Sequence, residues 1–245
     1  MIDRCGMFMN LARIRWALRG FPDLTLARTL YQVSTHTMTR PTRAIALWKL
    51  CKEILRTKIP GDFVECGVWM GGSAGLMAVA LGRFDIGKPR MLHLFDSFEG
   101  LPAPSEKDGK KAAGYWTNSA NSELLTTQRC VAGTDTVCSL LHERLGFSEK
   151  RVVIHKGWFQ DTLPGLGPEP QCIAVLRLDG DWYESTKICL EHLYERVSRG
   201  GVILLDDYYC WEGCRKATDE FRDARGIIDP LIRIDDESVY WIKSN

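Results

Sequence analysis

The chain of 245 residues is 45% apolar and 26% charged, the balance of a soluble globular protein with enough length to bury a substantial core. Thirty-two Lys and Arg stand against thirty-one Asp and Glu, a net charge of +1, so the broad basic field that non-specific nucleic-acid binding requires is absent. No apolar run nears the roughly 20 residues of a membrane-spanning helix. The nine cysteines form no CxxC pair and read as reduced thiols in a cytoplasmic protein. Asp3, Arg4, Arg13 and Arg15 break up the first residues, so no secretion signal is expected.

Helical spacing of apolar residues runs through 11–30 and 43–57, with Ala44, Leu47, Trp48, Cys51, Ile54 and Leu55 on one face of the second stretch. Pro60-Gly61 ends that pattern, and the run from Asp62 to Cys66 reads as a strand entering a glycine turn at Gly67, Gly71, Gly72 and Gly75. A helix is expected through Leu81. Further strands are expected at 90–95 ending on Asp96, at 151–155 ending near Gly157, at 173–178 ending on Asp179 and at 202–205 ending on Asp206 and Asp207. Helices are expected at 123–145, 183–197 and 215–225, with Gly200-Gly201 as punctuation before the last parallel strand. Uninterrupted apolar strands imply helices on both sheet faces. A closing pair, 231–234 and 239–242, reads as an antiparallel hairpin. The fold class is therefore α/β, a doubly wound Rossmann-like sheet with N-terminal helices and a C-terminal hairpin, and ligands bind at the carboxyl ends of such strands. Residues 1–58 form an N-terminal helical segment, for a lid or an interface, ahead of a domain at 59–245. The polar stretch from Pro102 to Ser122 is longer than ordinary connections and is a lid candidate.

Chemistry gathers at those strand ends. Glu65 precedes the glycine turn, and Asp96 ends the second strand where nucleotide-binding folds hold ribose hydroxyls. Trp158 and Phe159 offer flat apolar surfaces for a purine, and the absence of GxxxxGK[ST] favours a nucleoside over a triphosphate. Asp179, Asp181, Asp206 and Asp207 follow the fourth and fifth strands. Parallel strands lie about 4.8 Å apart, so these carboxylates converge if the two strands are neighbours. Mutual repulsion then calls for a hard divalent cation such as Mg2+. The five histidines show no HExxH or zinc spacing. Two other readings stay open: a Mg2+-dependent phosphatase built on Asp179-Gly180-Asp181, and a non-catalytic nucleoside-binding module.

Taken in order, His36-Thr37-Met38, Glu65-Cys66-Gly67-Val68-Trp69 with Gly71-Gly72-Ser73, Asp96-Ser97-Phe98-Glu99-Gly100-Leu101-Pro102, Gly157-Trp158-Phe159, Leu176-Arg177-Leu178-Asp179-Gly180-Asp181 and Asp206-Asp207-Tyr208 resemble the macrocin O-methyltransferase (TylF-type) family. The resemblance spans roughly residues 36–243 and implies a class I methyltransferase using S-adenosylmethionine and Mg2+ on a sugar hydroxyl of a natural product, as in antibiotic biosynthesis. It implies that Asp179, Asp206 and Asp207 bind the metal and that Asp181 is the general base, with Asp179 also catalytic. Thr37, Met38, Glu65, Gly67, Trp69, Ser73, Asp96, Ser97, Phe98, Trp158, Phe159 and Asp179 would face the cofactor. Trp182 stands where the family's pattern suggests a smaller aliphatic residue. Neither nucleic acid nor a membrane is an expected partner, and a homodimer is the default assembly.

Overall fold

The computed structural model describes residues 23–87, 89–116 and 129–244. Its seven strands form one sheet in the order β3-β2-β1-β4-β5-β7-β6, comprising β1 (Asp62–Cys66), β2 (Leu92–Asp96), β3 (Val152–Lys156), β4 (Ile173–Leu178), β5 (Val197–Leu205), β6 (Ile232–Arg233) and β7 (Val239–Ile242). The first five are parallel. β7 runs antiparallel against β5, and β6 closes the edge. The expected class, including the C-terminal hairpin, is the observed one. Chain order reverses beside β1 and β4, and a crevice opens where neighbouring connections leave in opposite directions.

Helices cover both faces. On one, α1 (Leu24–Val33) and α2 (Pro41–Arg56) pack on α3 (Gly72–Phe84). Sandwiched in this way, α3 buries residues all round, including Ala74, Leu76, Met77, Ala78 and Leu81, which is why its sequence is apolar without a polar stripe. The other face carries α7 (Tyr183–Leu193) and α8 (Glu212–Ala224), which pack on each other over a core containing Trp182, Leu190, Leu193, Phe221 and Trp241. Every residue of β4 is buried, as a central parallel strand requires.

Four element boundaries differ from the sequence reading. The first described helix starts at Leu24 because Asp23 caps it, accepting from Leu26 N at 3.0 Å; residues 11–22 of the expected helix lie outside the described residues. The helix expected from 123 begins at Thr134 as α5 (Thr134–Cys138), capped at Gly133 and continued by a π-helical turn over Ser139–Arg144. Before it, Cys130 takes a left-handed φ of 58°, which no helix accommodates; residues 117–128 are outside the described set. The helix from Tyr183 ends at Leu193 in a 3-10 turn (Tyr194–Arg196). Finally, Gly200-Gly201 lies inside β5 rather than before it. The register there jumps from Ile173↔Val197 to Val175↔Val202, a bulge for which Gly200 supplies a φ of 80°.

The stretch after Pro102 is also more ordered than a polar loop. It forms a 3-10 turn (Glu106–Asp108) and α4 (Gly109–Trp116), docked by the buried Asp108 and Ala112. Asp108 accepts from Ser105 N at 2.7 Å and from Tyr183 N, at the start of α7, at 2.6 Å. Its remainder, 117–122, falls outside the described residues. Among those described, no helix is long and apolar enough to cross a membrane.

Candidate active site

The turn after β1 brings main chain close to where a ligand would lie. Gly67 has φ 88°, and a Cβ there would stand 2.0 Å from the Asp179 carbonyl oxygen, so only glycine lets β1 and β4 end side by side. Asp96 fixes the same turn: Oδ2 accepts from Val68 N at 2.6 Å and Trp69 N at 3.0 Å, and Oδ1 from Phe98 N at 2.7 Å. Its carboxylate thus sits at the expected place with three amide donors already bound. Gly72 opens α3 against the linker between α1 and α2, its N–H donating to His36 O at 2.9 Å. A Cβ at Gly72 would meet the Thr37 Cβ at 2.4 Å.

Two adjoining cavities open over the ends of β1, β4 and β5. Thr37, Glu65, Ser73, Arg177, Asp206 and Asp207 line the first. Gly67, Asp96, Ser97, Trp158 and Phe159 line the second, while Met38, Trp69, Asp179 and Asp181 border both. The sequence-derived residues therefore converge, with one exception: Phe98 is buried in the hydrophobic core and lines neither cavity.

The acidic strand ends meet because pairing continues past the strands. Asp179 N donates to Cys66 O at 2.8 Å and Asp206 N to Leu178 O at 3.0 Å. Oxygens of Asp179, Asp181 and Asp207 all lie within 4.8 Å of one another. Asp206 turns instead to arginine: Oδ1 accepts from Arg177 Nη2 at 2.9 Å and Oδ2 from Arg43 Nη1 at 2.7 Å. Burial would raise the Asp206 pKa, but Arg177 and Arg43 hold it below the ordinary carboxylate value. Burial and the like charges of Asp181, Asp179 and Asp206 push Asp207 well above that value. Asp207 Oδ2 is buried without a hydrogen-bond partner, an oxygen that could take a cation.

Arg177 is the residue that sequence reasoning passed over. It sits in register with Glu65 across β1 and β4 and is 2% exposed, donating to Glu65 Oε1 at 2.8 Å as well as to Asp179 Oδ2 and Asp206 Oδ1, each at 2.9 Å. Burial lifts Glu65 to a pKa of about 8 against the pull of Arg177, which is shared among three carboxylates. Arg43 was missed as well. It binds Asp235 at 2.8 Å and Glu237 as well as Asp206, tying the β6–β7 turn and α2 to the site. The available signal for Arg177 was an ionisable residue inside a wholly apolar run between Leu176 and Leu178, since a buried charge demands partners.

Against known proteins, residues 30–243 match the family model for macrocin-O-methyltransferase (TylF). The chain is 35% identical over 220 residues to the mycinamicin III 3''-O-methyltransferase of Micromonospora griseorubida, covering 87% of this chain and 81% of that one. It is 37% identical over 206 residues to the 8-demethyl-8-(2,3-dimethoxy-alpha-L-rhamnosyl)-tetracenomycin-C 4'-O-methyltransferase of Streptomyces olivaceus, covering 84% and 75%. The solved structure of the O-methyltransferase NovP superposes with a TM-score of 0.73 at 34% identity, covering 86% of this chain and 83% of that one. With the fold, the strand-end site and these likenesses in agreement, the chain belongs to the TylF macrocin-O-methyltransferase family and is an O-methyltransferase with a class I, Rossmann-like fold.

Proposed function

We propose that the chain transfers the methyl group of S-adenosylmethionine to a hydroxyl of a sugar on a glycosylated natural product, with Mg2+ at the acidic strand ends. The convergence of Asp179, Asp181 and Asp207 within 4.8 Å, beside a cavity walled by Trp158 and Phe159, carries this reading. A relative named for a rhamnosyl-bearing acceptor supports the sugar class. Asp179 and Asp207 belong both to the ligand set drawn from the sequence and to the observed convergence, and they would hold the ion. The set drawn from the sequence also has Asp206, whose two oxygens Arg177 and Arg43 already occupy, and Asp181 remains the proton acceptor.

When bound, S-adenosylmethionine supplies an electrophilic methyl on sulfonium, and Mg2+ lowers the pKa of an oxygen bound to it. The chain's own part is to orient and to take a proton. Trp158 and Phe159 give the adenine end apolar walls, while Asp96 fixes the turn that carries Trp69 between the two cavities. With donor and acceptor bound, Asp181 would take the proton that the acceptor hydroxyl gives up on methylation. Held close together, acceptor and donor react as within one molecule.

The test is methyl transfer from radiolabelled S-adenosylmethionine onto rhamnosylated polyketides, with and without EDTA, for the wild type and Asp181→Asn. Expected are chelator-sensitive transfer by the wild type and loss of most turnover by the variant, with cofactor binding by calorimetry retained. Chelator-resistant transfer would refute the metal, and wild-type turnover by Asp181→Asn would refute the base. The eight described cysteines are free thiols, which supports placement in the reducing cytoplasm. Sedimentation velocity reads the homodimer expected from the sequence.

A further inference from the structure

Asp181 is not held by its own loop alone. It occupies a left-handed turn with φ 56°, and its Oδ1 accepts from the indole Nε1 of Trp211 at 2.6 Å. Trp211 is 3% exposed and lies just before α8, three residues beyond the Asp206-Asp207-Tyr208 run. A tryptophan N–H so placed is a one-proton donor that cannot reverse its role, so it fixes the carboxylate as acceptor at that oxygen.

The indole is itself gripped from both ends of the ordered segment 102–116. Its ring meets that of Trp182 edge-on, with centroids 5.0 Å apart, and Trp182 Nε1 donates to the Pro102 carbonyl at 2.9 Å. On α4, Lys111 Nζ lies 4.7 Å from the centre of the Trp211 ring and donates to the Cys210 carbonyl at 2.8 Å. Pro102 borders the second cavity, so the segment that walls the site also holds the ring that aims Asp181. Trp182, the large residue in an expected small position, has a role here as the link to Pro102.

We propose that Trp211 is a positioning residue for the methyl-transfer reaction: its indole N–H orients the Asp181 carboxylate, and the docking of segment 102–116 through Trp182 and Lys111 sets the indole. This rests on the reading of Asp181 as proton acceptor, and the experiment separates the two. Among the chain's eight tryptophans, the Trp211 indole resonance is assigned in a 15N-indole spectrum as the one missing from Trp211→Phe. In Asp181→Ala, which keeps Trp211 and needs no acceptor substrate, that resonance moves more than those of the other indoles, Trp182 excepted. Trp211→Phe keeps an aromatic ring beside Trp182 and removes the N–H donor together with the five-membered ring that carries it. With a rhamnosylated polyketide as acceptor, its kcat falls on the order of 100-fold, the loss that misplacing a reactive group brings, while KM for S-adenosylmethionine holds. An unmoved Trp211 resonance in Asp181→Ala overturns the proposal, as does wild-type kcat in Trp211→Phe when Asp181→Asn is inactive. Full turnover by Asp181→Asn would instead strike the base assignment, leaving the spectrum to decide whether the indole contact exists.

Discussion

Asp206 and Asp207 are adjacent, and each is 5% exposed, yet they belong to electrostatically opposite regions. Asp206 sits in a brace where Arg43 and Arg177 gather Glu65, Asp206, Asp235 and Glu237. Asp207 turns to a corner shared with Asp179 and Asp181, where Arg177 pairs with Asp179. An acidic motif thus divides its labour by one residue: one carboxylate locks strands, hairpin and α2 together, and its neighbour stands among like charges. The division falls where the chain has left β5 and bends at Asp206 and Asp207.

Breaking the brace gives the largest effect. Arg177→Met strands Glu65 as a buried acid and leaves Asp206 with Arg43 alone, and urea unfolding should show a loss of about 3–5 kcal/mol. The corner behaves otherwise. Asp207→Asn imitates the protonated carboxyl, so the metal-free melting temperature should hold or rise. If the proposed Mg2+ binds there, saturating ion should stabilise the wild type by about 2.7 kcal/mol at 100 times Kd and leave Asp207→Asn unchanged. A variant that still melts higher with Mg2+ would place the ion elsewhere.

Glu65 sharpens the boundary between the two regions. Its folded pKa of about 8 lies above the ordinary 4.5, so its contribution is fully present below pH 4.5 and is lost as pH rises through 8. Stability of the wild type should decline across that window by up to about 1.4 kcal/mol per pH unit. Glu65→Gln should flatten the slope in chemical denaturation. The smallest effect lies far from any acid cluster. His155, stacked on Phe95 at 4.0 Å, is lowered by burial and then by His93 to about 4. Its stabilising contribution is complete above pH 6.5 and is lost as pH falls toward 4. An NMR titration should find its midpoint near the lower figure; an ordinary midpoint would show that burial alone does not shift a ring here.

Much of this was readable in the chain because strand ends announce themselves: apolar runs from Ile173 and Val202 stop at acids, and parallel neighbours put those acids together. What escaped depends on partners distant in sequence. Nothing beside Arg177 reveals that Glu65 lies opposite it, since that needs the β1–β4 register. Asp206 and Asp207 look alike as letters and part company through Arg43, far back on α2, and Arg177 on β4. The bulge at Gly200 looked like a turn because its irregularity exists only relative to β4. Nothing beside Trp211 reveals its role, since its N–H finds Asp181 across two loops.

The contact of Gly72 with His36 and Thr37 bears on how the molecule can be cut. An excised fragment beginning at residue 59, where chain order first suggests a boundary, would lose Thr37 and Met38 from the cavity walls. It would also uncover the side of α3 on which α1 and α2 lie. Helices α1 and α2 are thus no detachable appendage: cutting them away takes residues out of the cavity wall, and grafting this unit onto another protein requires carrying them along.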